Sequence, residues 1–443
     1  MILSLMLAQS MPLDDVVGDL LNPIDPLAPM APMTSTPPTT GYYDDNGMWI
    51  PPSRDRSPDT DACPRSLVPP EPVSTSERVL DGATPTPLPP VYSGPCGVIT
   101  PNGYQVDSEV VASAWLVADI DSGEVVAMKD PHGRYRPASI IKVLLALVAI
   151  DELDLDSKVI ASPESASQEG SSAGIGEGGE YSVRDLLHGL ILSSGNDAAH
   201  ALAQELGGDE EALTKVNELA RELGMADTRV TSYSGLDAAG MSTSAWDMGL
   251  AYREAFNNPV FAGIADTQTY EFPGFDELPP FEMWNDNKLY LEDPDGIGGK
   301  TGYTDDANHT FVGAVNHDGR RLVAIVLDTA AWDARPWQQA QMLLHAAYPI
   351  APGSGVAQLA PVSAQTETSQ PAPTPEATEP NPDADEAPDR ETHWGWLPLA
   401  IIAAVAAFAG VGAWLARRSG SSSGRHAAPS RTRSQHPSGR YQR

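Results

Sequence analysis

Basic residues are scarce in this chain: 27 Lys and Arg stand against 60 Asp and Glu over 443 residues, a formal net charge of −33. Contacts to a nucleic-acid backbone need clustered Lys and Arg, so that partner is excluded for the folded part. Only six residues are lysine, which makes each one informative. Cysteine is nearly absent, with Cys63 and Cys96 the whole complement. Neither has a histidine or second cysteine at metal-ligand or catalytic spacing, so a Cys63–Cys96 disulfide in an oxidising compartment is expected, not two free thiols. By loop-closure entropy it would be worth about 3–4 kcal/mol. No pair among the nine histidines has metal-ligand spacing, and neither a metal nor a cofactor is expected.

Long apolar runs are missing until the end of the chain. "MILSLMLAQS" has a short one without a positive n-region, so residues 1–10 read as a truncated signal segment or a misplaced start. The 41 prolines crowd into two stretches. Residues 11–96 form a Pro/Asp/Thr-rich leader with few regularly spaced apolar positions to repay ordering. Residues 351–393 form an acidic, Pro-rich linker. Residues 97–350 carry periodic apolar patterns, enough for one sizeable domain. Trp394 to Leu415 holds no charge, and its length of about 20 residues is enough to cross about 30 Å of hydrocarbon. With Trp394, Trp396 and Trp414 as interfacial anchors, residues 394–416 are predicted to be a transmembrane helix. The tail 417–443 has seven arginines and no acid, which places it in the cytoplasm and the folded domain outside.

Within the domain, alternating runs around Asp121-Ser122-Gly123 and around Asp318-Gly319 predict two hairpins. A dense apolar pattern starting at Ala138 or Ser139 predicts a central buried helix. Ser182 and Asp185 have capping-box spacing at the start of another, which breaks at Ser194-Gly195 before a second helix. Further helices fit 210–223, 244–256 and 336–347. Strands at both ends with helices between predict an α/β (α+β) domain on an antiparallel sheet.

The stretch "DPDGIGGKTGYTDD" looks like a phosphate-cradling loop, with Lys300 and Thr301 behind glycines. A phosphate loop needs glycine six residues before its lysine, and position 294 is proline. It also needs a following helix, whereas a hairpin follows. Lys300 therefore has other company. Ser139-Ile-Ile-Lys142 puts a hydroxyl and an amine three residues apart, on one helix face. Serine is a nucleophile only with a base, and lysine is a base only when burial or a nearby cation depresses its pKa. Lys300 could be that cation. Ser194-Gly195-Asn196 falls at the helix break, where hydroxyl and carboxamide can project into a cleft. "GSSAG", Gly170 to Gly174, has the spacing of a hydrolase nucleophile elbow but neither the preceding strand nor the following helix, and reads as a flexible loop.

Ser-x-x-Lys, Ser-x-Asn and Lys-Thr-Gly in this order resemble the penicillin-recognising serine enzymes. The domain is most similar to the serine D-alanyl-D-alanine carboxypeptidases, the low-molecular-mass penicillin-binding proteins, over roughly residues 108–348. That resemblance implies a β-lactamase/transpeptidase-like fold, an antiparallel sheet flanked by helices with an all-helical lobe across the cleft. It implies attack by Ser139 on the D-Ala-D-Ala end of a peptidoglycan stem peptide, with Lys142 as base and β-lactams as inhibitors. Backbone N–H groups of Ser139 and Tyr303 would hold the oxyanion. Ser194 and Lys300 would protonate the leaving D-alanine, and Asn196 would position the substrate and hold Lys142. Thr301, Lys300 and Arg335 would meet the terminal carboxylate, with Gly302 admitting the substrate backbone. A class A β-lactamase is disfavoured, because no Glu-x-x-Leu-Asn segment lies between Ser194 and Lys300 and Gly195 stands where aspartate is usual. A D-alanyl endopeptidase of cross-links shares the chemistry, and a non-catalytic cell-wall binding protein would not need the complete set.

Overall fold

The computed structural model describes residues 42–43, 49–50, 54–74 and 85–361. The expected signal segment 1–10, the expected helix 394–416, the tail 417–443 and most of the linker 351–393 lie outside the described residues. Among those described, no helix is long and apolar enough to cross a membrane.

Strands β1 (Tyr42–Tyr43) and β2 (Trp49–Ile50) pair with each other. β3 (Val98–Ile99) precedes a hairpin of β4 (Ala114–Asp119) and β5 (Glu124–Lys129), turned where the sequence places it. A 3₁₀ turn, Ala138–Ile141, leads into α1 (Lys142–Glu152), so the predicted helix starts as a tighter coil. Next come β6 (Lys158–Ile160), α2 (Pro163–Ala166), β7 (Glu180–Ser182), α3 (Val183–Leu192), α4 (Asn196–Glu205) and α5 (Asp209–Glu222). The Ser182–Asp185 capping box is formed in both directions. Then follow α6 (Ala245–Asn257), α7 (Pro259–Ala265), β8 (Thr269–Phe272), β9 (Phe281–Trp284) and α8 (Lys288–Glu292). The chain returns through β10 (Gly296–Thr304), β11 (Asn308–His317), β12 (Arg320–Thr329), α9 (Pro336–Ala347) and β13 (Ala357–Gln358).

The main sheet runs β10-β11-β12-β4-β5 in antiparallel order, with β3 and β13 both pairing with β5. β12 lies beside β4, so residues about 200 apart in sequence share a ladder (Leu322 opposite Asp119). Both faces are covered, which explains why β4 is buried at all six positions although its side chains alternate. Leu116 and Ala118 face the core with α1 and α6, while Trp115 and Val117 face the core with α9. The helical lobe differs from the expectation in carrying two small ribbons, β6–β7 and β8–β9. Their three- and four-residue strands are partly exposed and too short to show a period.

The leader is the larger surprise, because residues 54–74 and 85–96 are packed on the domain. The Cys63–Cys96 disulfide is formed. Arg134, fully buried, donates to the carbonyls of Leu67 (2.9 Å), Leu88 and Pro89 (2.7 Å), and pairs with Asp227. Lys129 donates to Ser57, Pro58 and Ala112, and Arg54 pairs with Asp328 at 2.8 Å. Buried cations that take backbone carbonyls as acceptors hold these segments in place of an apolar stripe. Apolar periodicity, the signal used to set the domain start at residue 97, carries no trace of such bonds.

Candidate active site

Ser139 sits in the 3₁₀ turn and Lys142 opens α1, so one turn separates them, as the spacing requires. Lys142 Nζ is 2.8 Å from Ser139 Oγ. The same amine donates to Asn196 Oδ1 at 2.7 Å and to the Ser234 carbonyl at 2.6 Å. A neutral amine has two N–H bonds and one lone pair. With two carbonyl oxygens taking the N–H bonds, the lone pair is left for the serine hydroxyl, the arrangement a general base requires. Lys142 is fully buried; that burial, and secondly the charge of Lys300, hold its pKa well below the usual lysine value, with Asp286 and Asp197 opposing.

Lys300 comes from the edge strand β10 and is also fully buried. Burial lowers its pKa, with Asp286 opposing. Its Nζ donates to the Thr301 carbonyl at 3.0 Å. The Thr301 hydroxyl donates to Asp286 Oδ2 at 2.7 Å. Ser194 is held in the left-handed region (φ 61°) at the break between α3 and α4, which turns its side chain into the cleft. Among the described residues it makes no hydrogen bond to Lys300. Gly302 also has a reason within the protein itself. A Cβ there would come within 2.3 Å of the Thr310 side-chain Oγ1 and 3.1 Å of the Ser139 amide, so the protein's own atoms leave no room for one.

Ser139, Ser194, Thr301, Gly302, Tyr303 and Arg335 line one cleft of about 610 Å³. Arg335, preceding α9, forms its far wall with Pro336 and Trp337. Beside it, burial and the Arg335 charge push His309 down to about 4, leaving a neutral imidazole whose ring meets Tyr303 at a tilt of 41°, centroids 4.7 Å apart. The structure thus brings together every side chain that the motifs single out.

Sequence reasoning missed Ser234, Asp286 and His309, which belong to no local motif. It also misjudged the 170–174 segment, which is pinned instead of flexible. Asp197, buried beside Asn196, accepts from the Ala173, Gly174 and Ile175 amides and from Ser172 Oγ. The loop in turn orients Asn196, whose Nδ2 donates to the Glu169 carbonyl at 2.6 Å and so leaves Oδ1 for Lys142. A run of glycines and serines reads as mobile because its anchoring carboxylate lies about 20 residues downstream.

The family described as D-alanyl-D-alanine carboxypeptidase, peptidase S11, matches residues 101–331. A D-alanyl-D-alanine carboxypeptidase of Mycobacterium tuberculosis is 42% identical over 252 residues, covering 56% of this chain and 86% of the relative. A crystal structure of the D-alanyl-D-alanine carboxypeptidase from M. tuberculosis H37Rv superposes with a TM-score of 0.56 at 41% identity, covering 59% of this chain and 100% of that one. A D-alanyl-D-alanine endopeptidase of Pseudomonas aeruginosa is 28% identical, covering 51% of this chain and 74% of the relative. A sheet carrying Lys300 on its edge, a buried Lys142 beside Ser139 and these similarities agree: the chain belongs to the peptidase S11 family of serine D-alanyl-D-alanine carboxypeptidases.

Proposed function

We propose that this protein removes the terminal D-alanine from peptidoglycan stem peptides through an acyl-enzyme on Ser139. The observation that carries the reading is the fully buried Lys142 amine, its pKa held well below the usual lysine value by burial and then by Lys300, 2.8 Å from the Ser139 hydroxyl. Ser139 Oγ attacks the carbonyl between the two D-alanines while Lys142 takes its proton. The Ser139 and Tyr303 amides stabilise the oxyanion, a contribution of several kcal/mol in comparable sites. As the C–N bond breaks, Ser194 and Lys300 deliver a proton to the departing amine. The leaving carboxylate meets Thr301 and Arg335, whose guanidinium suits a carboxylate bidentately. Water then hydrolyses the ester, whereas a β-lactam acylates the same serine and stays.

The similarity to the P. aeruginosa endopeptidase supports a second reading, cleavage of D-alanyl cross-links by the same groups. In either case the segment 394–416 anchors the chain in the cell membrane, with the domain outside, the basic tail inside, and the Pro-rich linker giving reach into the wall.

Fluorescent penicillin is expected to label the full chain covalently and not label Ser139→Ala; equal labelling of both would refute the mechanism. The acylation rate should fall as pH drops through the depressed Lys142 pKa, because protonation removes the lone pair. Lys300→Ala removes the neighbouring charge, so this acid limb should move to higher pH; an unmoved or lowered limb contradicts the assigned cause. Offered pentapeptide and cross-linked dimer in separate assays, the enzyme should release D-alanine from the pentapeptide, and cleavage of the dimer alone would select the endopeptidase reading. Protease added to intact spheroplasts should digest the catalytic domain; a protected domain would overturn the topology.

A further inference from the structure

Ser234 lies in a turn with short bonds of its own: the Gly235 amide donates to the Ser232 carbonyl at 3.2 Å, and the Ser232 and Ser234 hydroxyls are 3.0 Å apart. Gly235 and Gly240 follow it with φ of 86° and 83°, and Leu236 between them is 39% exposed. Yet the Ser234 carbonyl must stay 2.6 Å from Lys142 Nζ if the amine's lone pair is to face Ser139. The segment is tied at Asp237, three residues on. One oxygen of that carboxylate accepts from the Thr304 hydroxyl at 2.6 Å and the other from the Asp306 amide at 3.3 Å. Both donors belong to the end of β10 and its turn into β11, the strand pair that carries Lys300 and Tyr303.

This turn places a second carboxylate, Asp306, beside the first, and the two repel. Burial, and to a lesser degree Asp306, push Asp237 up to about 6. The leader supplies what Asp306 needs. The Val73 and Ser74 amides donate to Asp306 Oδ1, each at 2.7 Å, and the Ser74 hydroxyl donates to Oδ2 at 2.6 Å. Asp306 is 6% exposed, and these three donors satisfy its buried carboxylate. Arg136 fastens the same stretch by donating to the Pro70 carbonyl at 2.7 Å. Residues 70–74 precede the family match at 101–331, so the contact joins the shared catalytic core to a part of the chain outside it.

We infer that the leader positions the catalytic base: Val73 and Ser74 hold Asp306, the Asp306 turn holds Asp237, and Asp237 holds the Ser234 carbonyl against Lys142. Asp306, Asp237 and Ser74 are positioning residues and do not touch substrate. The inference rests on the proposed role of Lys142. Small displacements at a reacting pair are costly, about a hundredfold for 1 Å.

The test measures penicillin acylation of the full chain, as a rate per folded molecule, below the thermal transition of each variant. Asp306→Ala removes the acceptor for all three leader donors and should slow acylation about tenfold or more. Asp306→Asn keeps a carbonyl for the two amides and can donate to Ser74 Oγ, so it should restore most of the rate. Loss with Ala and rescue with Asn support positioning. A wild-type rate for Asp306→Ala, even with a lowered melting temperature, overturns it as a purely structural contact, and so does an Asn variant as slow as Ala. If Asp306→Ala does not fold, Ser74→Ala decides, with a drop of roughly two- to fivefold for one lost hydrogen bond supporting the inference and an unchanged rate overturning it. Failure of the wild-type chain to acylate at all would instead refute the role given to Ser139 and Lys142.

Discussion

The structure depends on keeping one lysine amine out of water. An ammonium in an apolar interior is costly, and in practice such a group gives up its proton. Lys142 meets this condition under the dense apolar turns of α1, and Lys300 makes the charged form less favourable still. Two carbonyl oxygens, from Asn196 and Ser234, then use both N–H bonds. In the neutral amine, what remains is a lone pair facing the Ser139 hydroxyl. Desolvation, a neighbouring charge and two acceptors arise from four separate parts of the chain, and the chemistry needs all of them.

Much of the fold follows from that requirement. The pairing of β12 with β4 closes the sheet and packs α1 against it, while β10 at the free edge brings Lys300 to the start of that helix. The positive φ at Ser194 ends α3 just where a hydroxyl and a carboxamide are wanted together. Asp197, with its cage of amides, turns a Gly/Ser-rich stretch into a wall of the cleft and sets which end of Asn196 faces the amine. These are polar devices, and each trades the freedom of a loop for the precise direction of one hydrogen bond.

The leader belongs to the same scheme. Proline-rich chain gains little by burying apolar surface, but it carries carbonyl oxygens that no helix or strand consumes. Arg134, Lys129 and Arg136 are among the few cations of an acidic protein, and all three are spent on those oxygens. The disulfide shortens the search for this arrangement by linking Cys63 to Cys96 near the start of the sheet.

Local pattern alone determined a good deal: both hairpins, the capping box, the buried central helix, the helix break at Ser194 and the three motifs that hold the reactive side chains. Each is legible because its cause acts over a few residues, through period, cap or turn chemistry. The tertiary structure decided the rest. That Lys300 is the charge beside Lys142, that Ser234 offers its carbonyl, that Asp197 pins the loop before it and that residues 54–96 are docked are all facts about hydrogen bonds and charges between distant segments. A backbone carbonyl has no sequence signature, and a carboxylate looks the same whether it faces water or a cage of amides.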